Sequence, residues 1–156
     1  MIWPRKLNVF LPTLLILSAT AIGCGHRVVK NMTDAPDGIV ERLVITDAGE
    51  LTSEEGRFLE LVRRKDQKLV LVDFWADWCG PCKMLAPSLK QLKKDWGDRL
   101  EVVKVNVDSE DCQQLAQFFE ISSIPDVRIF RAGSQVSDFT GVMPRQEIES
   151  LLKSLE

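Results

Sequence analysis

A chain of 156 residues, 45% hydrophobic and 28% charged, holds enough apolar material for one globular domain plus a short extra segment, and is not composed like a disordered protein. A net charge of −3, a pI near 5.3 and the lack of any basic block exclude nucleic acid as the main partner. The single histidine, His26, lies in a polar stretch near the N-terminus, which excludes a Ser/His/Asp or Cys/His catalytic arrangement inside the folded domain.

The opening segment MIWPRKLNVFLPTLLILSATAIGCG carries Arg5 and Lys6, runs uncharged from Leu7 to Gly25 and closes on small residues before Cys24, as a secretory leader does. Pro12 and Thr13 interrupt its apolar stretch, which favours a cleaved leader over a retained membrane-spanning helix. Ala21-Ile22-Gly23-Cys24 resembles the lipobox of bacterial lipoproteins, with alanine where leucine is usual. The resemblance implies that residues 1–23 are a signal peptide and that the Cys24 thiol is acylated; Gly25, rather than aspartate, would permit sorting to an outer membrane. Residues 24–38 are mostly polar and carry Pro36 and Gly38, so they read as a lipidated N-terminus and flexible tether, spanning at most about 50 Å.

Over 39–156, short apolar runs alternate with helical patterns, which predicts one α/β domain. Ile39 to Thr46 reads as a strand. Thr52 to Glu55 has the form of a capping box, and Phe58, Leu61 and Val62 follow at helical spacing, which predicts a helix through about Arg64. Lys68 to Ala76 is continuously apolar apart from Asp73 and reads as a central strand covered on both faces. After Pro81, residues Leu85, Leu89, Leu92 and Trp96 share one face of a helix, with a kink expected at Pro87. Leu100 to Val107 reads as a strand, and Cys112, Leu115, Ala116 and Phe119 mark the next helix. Val127 to Phe130 and Gln135 to Thr140 flank Arg131-Ala132-Gly133-Ser134, a hairpin signal, and a last helix starts near Pro144 and buries Ile148, Leu151, Leu152 and Leu155.

Chemistry concentrates in DFWADWCGPCK, Asp73 to Lys83. Cys79 and Cys82 meet only if the chain bends, and Gly-Pro ahead of a helix supplies the bend. A thiolate attacks disulfides, and helix-terminal N–H groups stabilise its charge. Cys79, just before the helix, is expected to be the more exposed and to act as nucleophile; Cys82, inside the first turn, is the resolving thiol. Half of a zinc site is the alternative, but further ligands at suitable spacing are missing. A structural staple is the other, though so small a loop restricts the unfolded chain little.

WCGPCK, the preceding VDFWA, the KVNVD strand and the later SIP before an apolar strand together resemble the thioredoxin family, over roughly Ile39 to Leu155. The resemblance implies the α/β thioredoxin fold, a central mixed sheet of about five strands flanked by four helices, and cofactor-free dithiol-disulfide exchange through Cys79 and Cys82, with no metal. It implies that Asp73 exchanges a proton with the resolving cysteine and that Lys104 lies near it. An acid within a buried strand is costly unless paired or used, so its pKa is expected to be raised. Pro125 resembles the cis-proline facing the disulfide, with Ile124 offering backbone hydrogen bonds to an extended substrate. Trp78, Gly80, Pro81 and Gly141 match the substrate face, whereas Trp75 reads as core and Cys112 as a buried apolar thiol.

Asp126 departs from the family, which usually has threonine after the cis-proline. If Asp126 faces the site it disfavours the Cys79 thiolate, makes the pair more reducing and repels acidic substrates. Gly-Pro between the cysteines resembles the reducing members, and the short interval from Cys82 to Pro125 leaves no room for the large insertion of the oxidase branch. The expectation is a monomeric thiol-disulfide oxidoreductase, lipid-anchored on the extracytoplasmic side of a bacterial envelope. Its partners would be disulfide-containing envelope proteins and a membrane thiol electron donor, without which it would sit oxidised as a weak oxidant. The competing reading is a binding or assembly module that uses the Ile124-Pro125 groove.

Overall fold

The structure is a computed structural model that describes residues 32–156; the expected signal peptide, the Cys24 expected to carry a lipid, His26 and the expected tether up to residue 31 lie outside the described residues. Two apolar strands, β3 (Leu69–Trp75) and β4 (Leu100–Asn106), pair in parallel at the centre of a mixed sheet. Strand β1 (Ile39–Ile45) runs antiparallel to β4, and β2 (Leu51–Arg57) antiparallel to β1. On the other side β5 (Asp126–Arg131) and β6 (Ser134–Thr140) add antiparallel strands, giving the order β2-β1-β4-β3-β5-β6. Among the described residues four α-helices accompany the sheet: α1 (Phe58–Val62), α2 (Gly80–Trp96), α3 (Glu110–Phe118) and α4 (Arg145–Ser154). The α/β class and the four helices match expectation; the sheet has six strands rather than about five.

The sixth strand lies where a capping box was expected. Thr52 to Glu55 do not open a helix but pair with Val44 to Glu41 in the β1–β2 hairpin, closed by Thr46 N–H to the Glu50 carbonyl at 2.9 Å. The local motif offered two capping bonds, whereas the neighbouring strand offered a whole ladder. Thr52, Ser53, Glu54 and Glu55 are exposed, as polar residues on an edge strand should be. The helix is left with the single turn and a half of α1.

Alternation along the strands splits the core in two. Val70, Val72, Phe74, Val103 and Val105 pack with Phe58, Leu115 and Phe119 on the α1 and α3 side. Leu69, Leu71, Leu100, Val102, Val127 and Ile129 pack with Leu85, Leu89, Leu92, Ile148 and Leu152 of α2 and α4 on the other. The two thick layers hold β3 and β4 dry on both faces, and α2 runs through Pro87 to Trp96 without interruption.

Residues 32–38, expected to be tether, are docked as a strap. Met32 and Ala35 are buried in the α1/α3 core, and the Arg63 guanidinium donates to the Met32 carbonyl. Asp37 accepts from Leu59 N–H at 3.0 Å, caps the start of α1 and pairs with Arg57 at 2.7 Å. Burial works against its charge, but the bonds from Leu59 and Arg57 outweigh it and hold the carboxyl below its ordinary value. Gly38 is required by contact: a Cβ there would lie 2.4 Å from the Asp111 carbonyl oxygen. Polarity suggested a free segment; two small apolar anchors and one carboxylate were enough to dock it. Among the described residues no helix is long and apolar enough to cross a membrane.

Candidate active site

Strand β3 ends at Trp75, the chain turns through Ala76-Asp77-Trp78, and α2 begins at Gly80 with Pro81 in its first turn, where a missing N–H costs nothing. Cys79 is the N-cap residue and Cys82 lies one turn in. The two form a disulfide with S–S 2.06 Å and Cα–Cα 5.3 Å. Cys82 N–H donates to Cys79 Sγ at 3.1 Å, so the sulfur sits where a thiolate would receive hydrogen-bond and helix-dipole stabilisation.

The expected asymmetry of exposure is absent in this oxidised form. Both cysteines are 3% exposed, packed with Ala76, Trp75, Val107 and Ile124. The disulfide holds the two sulfurs together under the same cover, and neither is the more exposed.

Around the disulfide, Trp78 is 70% exposed and its indole N–H donates to Asp108 at 2.8 Å, which fixes a flat apolar surface in solvent. Gly80 and Pro81 are exposed beside it, and Met84 and Val142 add exposed apolar surface. The Ile124–Pro125 peptide bond is cis, and Ile124 packs against the disulfide cluster. Gly141 N–H donates to the Pro125 carbonyl at 2.8 Å; its φ of +88° is a conformation that side chains disfavour, which is why glycine stands there. Asp108, Met84 and Val142 were not singled out from the sequence. Asp108 closes the KVNVD stretch and was the legible one, whereas the other two are ordinary apolar residues until the fold gathers them.

Beneath this surface Asp73 is 1% exposed and its Oδ1 has no hydrogen-bond partner. Burial pushes its pKa up to about 7, against the lowering field of Lys104. Lys104, adjacent across the β3–β4 ladder, does not bond to it: the ammonium lies 3.7 Å from the Trp75 ring centroid and 3.6 Å from Glu41 Oε2. Trp75 is thus a half-buried shelf between disulfide and ammonium, its own N–H unpartnered.

Asp126 corrects an expectation. It is 6% exposed and paired across the ladder with Phe74, which places it on the α1/α3 side of the sheet, opposite Asp73. Its carboxylate is taken up by the Arg128 guanidinium and by the Thr140 hydroxyl at 3.0 Å. A bare charge beside Cys79 is therefore not present, and Asp126 offers a substrate almost no surface. Cys112 is a buried free thiol donating to the Ile39 carbonyl at 3.3 Å, with its pKa raised by burial.

The arrangement can open a substrate disulfide by thiolate attack and close its own, and the buried Asp73 carboxyl with its raised pKa lies on the strand that leads into it. Comparison with known proteins gives the same chemistry. Residues 49–154 match the family model described as Thioredoxin. The chain is 43% identical over 93 residues to thioredoxin 1 of Chlorobaculum tepidum, covering 59% of this chain and 90% of that one. It is 40% identical over 84 residues to the thioredoxin of Bacillus subtilis, covering 54% and 79%. To the thioredoxin of Alicyclobacillus acidocaldarius it is 38% identical over 102 residues, covering 65% and 93%.

Proposed function

Because the chain belongs to the thioredoxin family and is a thiol-disulfide oxidoreductase, we propose that it reduces or isomerises disulfides of extracytoplasmic proteins from a lipid anchor at Cys24. The observation that carries the reading is a Cys79–Cys82 disulfide at a helix N-terminus, between an exposed Trp78 surface and a buried, unpartnered Asp73. The leader-like residues 1–23 and the lipobox-like Cys24 support the extracytoplasmic part of the reading.

In the reduced protein the Cys79 thiolate attacks one sulfur of a substrate disulfide held along Ile124-Pro125, forming a mixed disulfide and releasing the other substrate sulfur, which takes up a proton. Asp73 accepts the Cys82 proton. The Cys82 thiolate then attacks Cys79 Sγ, leaving the Cys79–Cys82 disulfide and releasing the second substrate sulfur as a thiolate, which takes up a proton from solvent while Asp73 gives its own back to solvent. Two electrons and two protons have passed to substrate. A dithiol donor at the membrane must return them, since the extracytoplasmic side has no nicotinamide-linked reductase.

Equilibration of the full chain with thiol buffers tests the direction. A low, thioredoxin-like potential supports a reductase; a value among oxidising members reverses it. A Cys24→Ser variant that still fractionates with membranes and still takes up labelled fatty acid would overturn the anchor.

A further inference from the structure

One row of residues crosses the sheet on the α2/α4 side. Glu55 of β2 is opposite Glu41 of β1, Glu41 opposite Lys104 of β4, Lys104 opposite Asp73 of β3, and Asp73 opposite Val127 of β5. The row therefore runs acid, acid, base, acid from an exposed edge to the dry centre. Lys104 has two carboxylate neighbours and makes its ion pair with Glu41, at 3.6 Å, while its ammonium rests on the Trp75 ring. Asp73 receives the field of that charge without a bond to it.

We propose that Glu41 is a positioning residue for the exchange reaction: it holds Lys104 over Trp75 and off Asp73, leaving the buried carboxylate free to take a proton. An ammonium in contact with Asp73 would lock it as a carboxylate, and a locked carboxylate is a poor acceptor for the Cys82 proton. Glu41 belongs to β1, whose residues lie outside the family match over 49–154. Among the described residues Lys104 is the one charge acting on Asp73: β5 presents Val127, the apolar layer of α2 and α4 adds Leu85, Ile148 and Leu152, and Glu55 lies beyond Glu41 at the edge. The proposal rests on Asp73 being the proton acceptor.

The test is a side-chain carboxyl NMR titration of Asp73 in the oxidised full chain, paired with the pH profile of mixed-disulfide resolution by Cys82. Glu41→Gln should lower the Asp73 midpoint by about half a pH unit or more and move the resolution profile with it, while Glu41→Asp restores both. Glu54→Gln, which removes the partner of Arg42 on the same hairpin, should change neither. In a Lys104→Met background, Glu41→Gln should lose most of its effect. An unchanged or raised midpoint overturns the proposal, as does a full effect without Lys104. A lowered midpoint with an unmoved resolution profile upholds the hold on Lys104 and overturns the role of Asp73 as acceptor.

Discussion

Asp73 and Asp126 are two buried carboxylates one strand apart, on opposite faces of the same sheet, and they have been treated in opposite ways. Asp126 is surrounded by Arg128 and Thr140, so its charge is satisfied inside the protein. Asp73 has an oxygen with no partner and an ammonium kept one neighbour away. Burial alone therefore does not set a carboxyl's character; what distinguishes Asp73 is burial without compensation.

The largest expected effect comes from Asp73→Asn. With a folded pKa of about 7, Asp73 keeps a proton that the unfolded chain sheds near its ordinary value of 3.8. The folded state thus loses stability as pH rises across that window, and the loss is complete above it. Removing the charge should stabilise the oxidised protein at pH 8 by on the order of 4 kcal/mol and leave it unchanged near pH 3. Denaturant melts at the two pH values check this, and equal shifts at both would sink the distinction between the two acids.

Arg128→Ala tests the other half of the comparison. It leaves Asp126 buried and unpaired and should destabilise by roughly 3 kcal/mol, whereas Asp126→Thr combined with Arg128→Leu should return most of the loss. A double variant as unstable as Arg128→Ala would mean that the pair is not the reason for the cost. Next in size, Lys104→Met removes the one field that lowers Asp73, so its NMR midpoint should rise by about one pH unit.

Asp37 supplies a third carboxylate, with the opposite slope. Its pKa is lowered, so its contribution is present above the ordinary carboxylate value and fades as pH falls through the folded one. Asp37→Ala should cost about 1 kcal/mol at pH 7, and less on acidification, in the same denaturant melts.

Much of the site was legible in the sequence because its parts are local. An acid in the apolar run LVLVDFW and two cysteines around Gly-Pro need no tertiary knowledge to be noticed. Asp126 was misread since one neighbour decides its character, and Asp126-Val127-Arg128 places that neighbour on its own face by strand alternation, a signal present but unused. The edge strand and the strap were hidden for a different reason. Thr52 to Glu55 satisfy a helix motif, and residues 32–38 look solvated, until the ladder of β1 and the α1/α3 core are there to receive them. Glu41 had no local sign at all, because its meaning lies across the sheet.

The strap also fixes where the described chain enters the domain. Arg63, which grips Met32, lies against Gly133 in the β5–β6 turn, at the end of β5 remote from Pro125. The chain thus joins the body at its rear, with the reactive sulfurs at the front. A pull on the chain ahead of Met32 would therefore meet the Arg63 bond and the buried Met32 side chain first, at the end of the sheet away from Cys79 and Cys82.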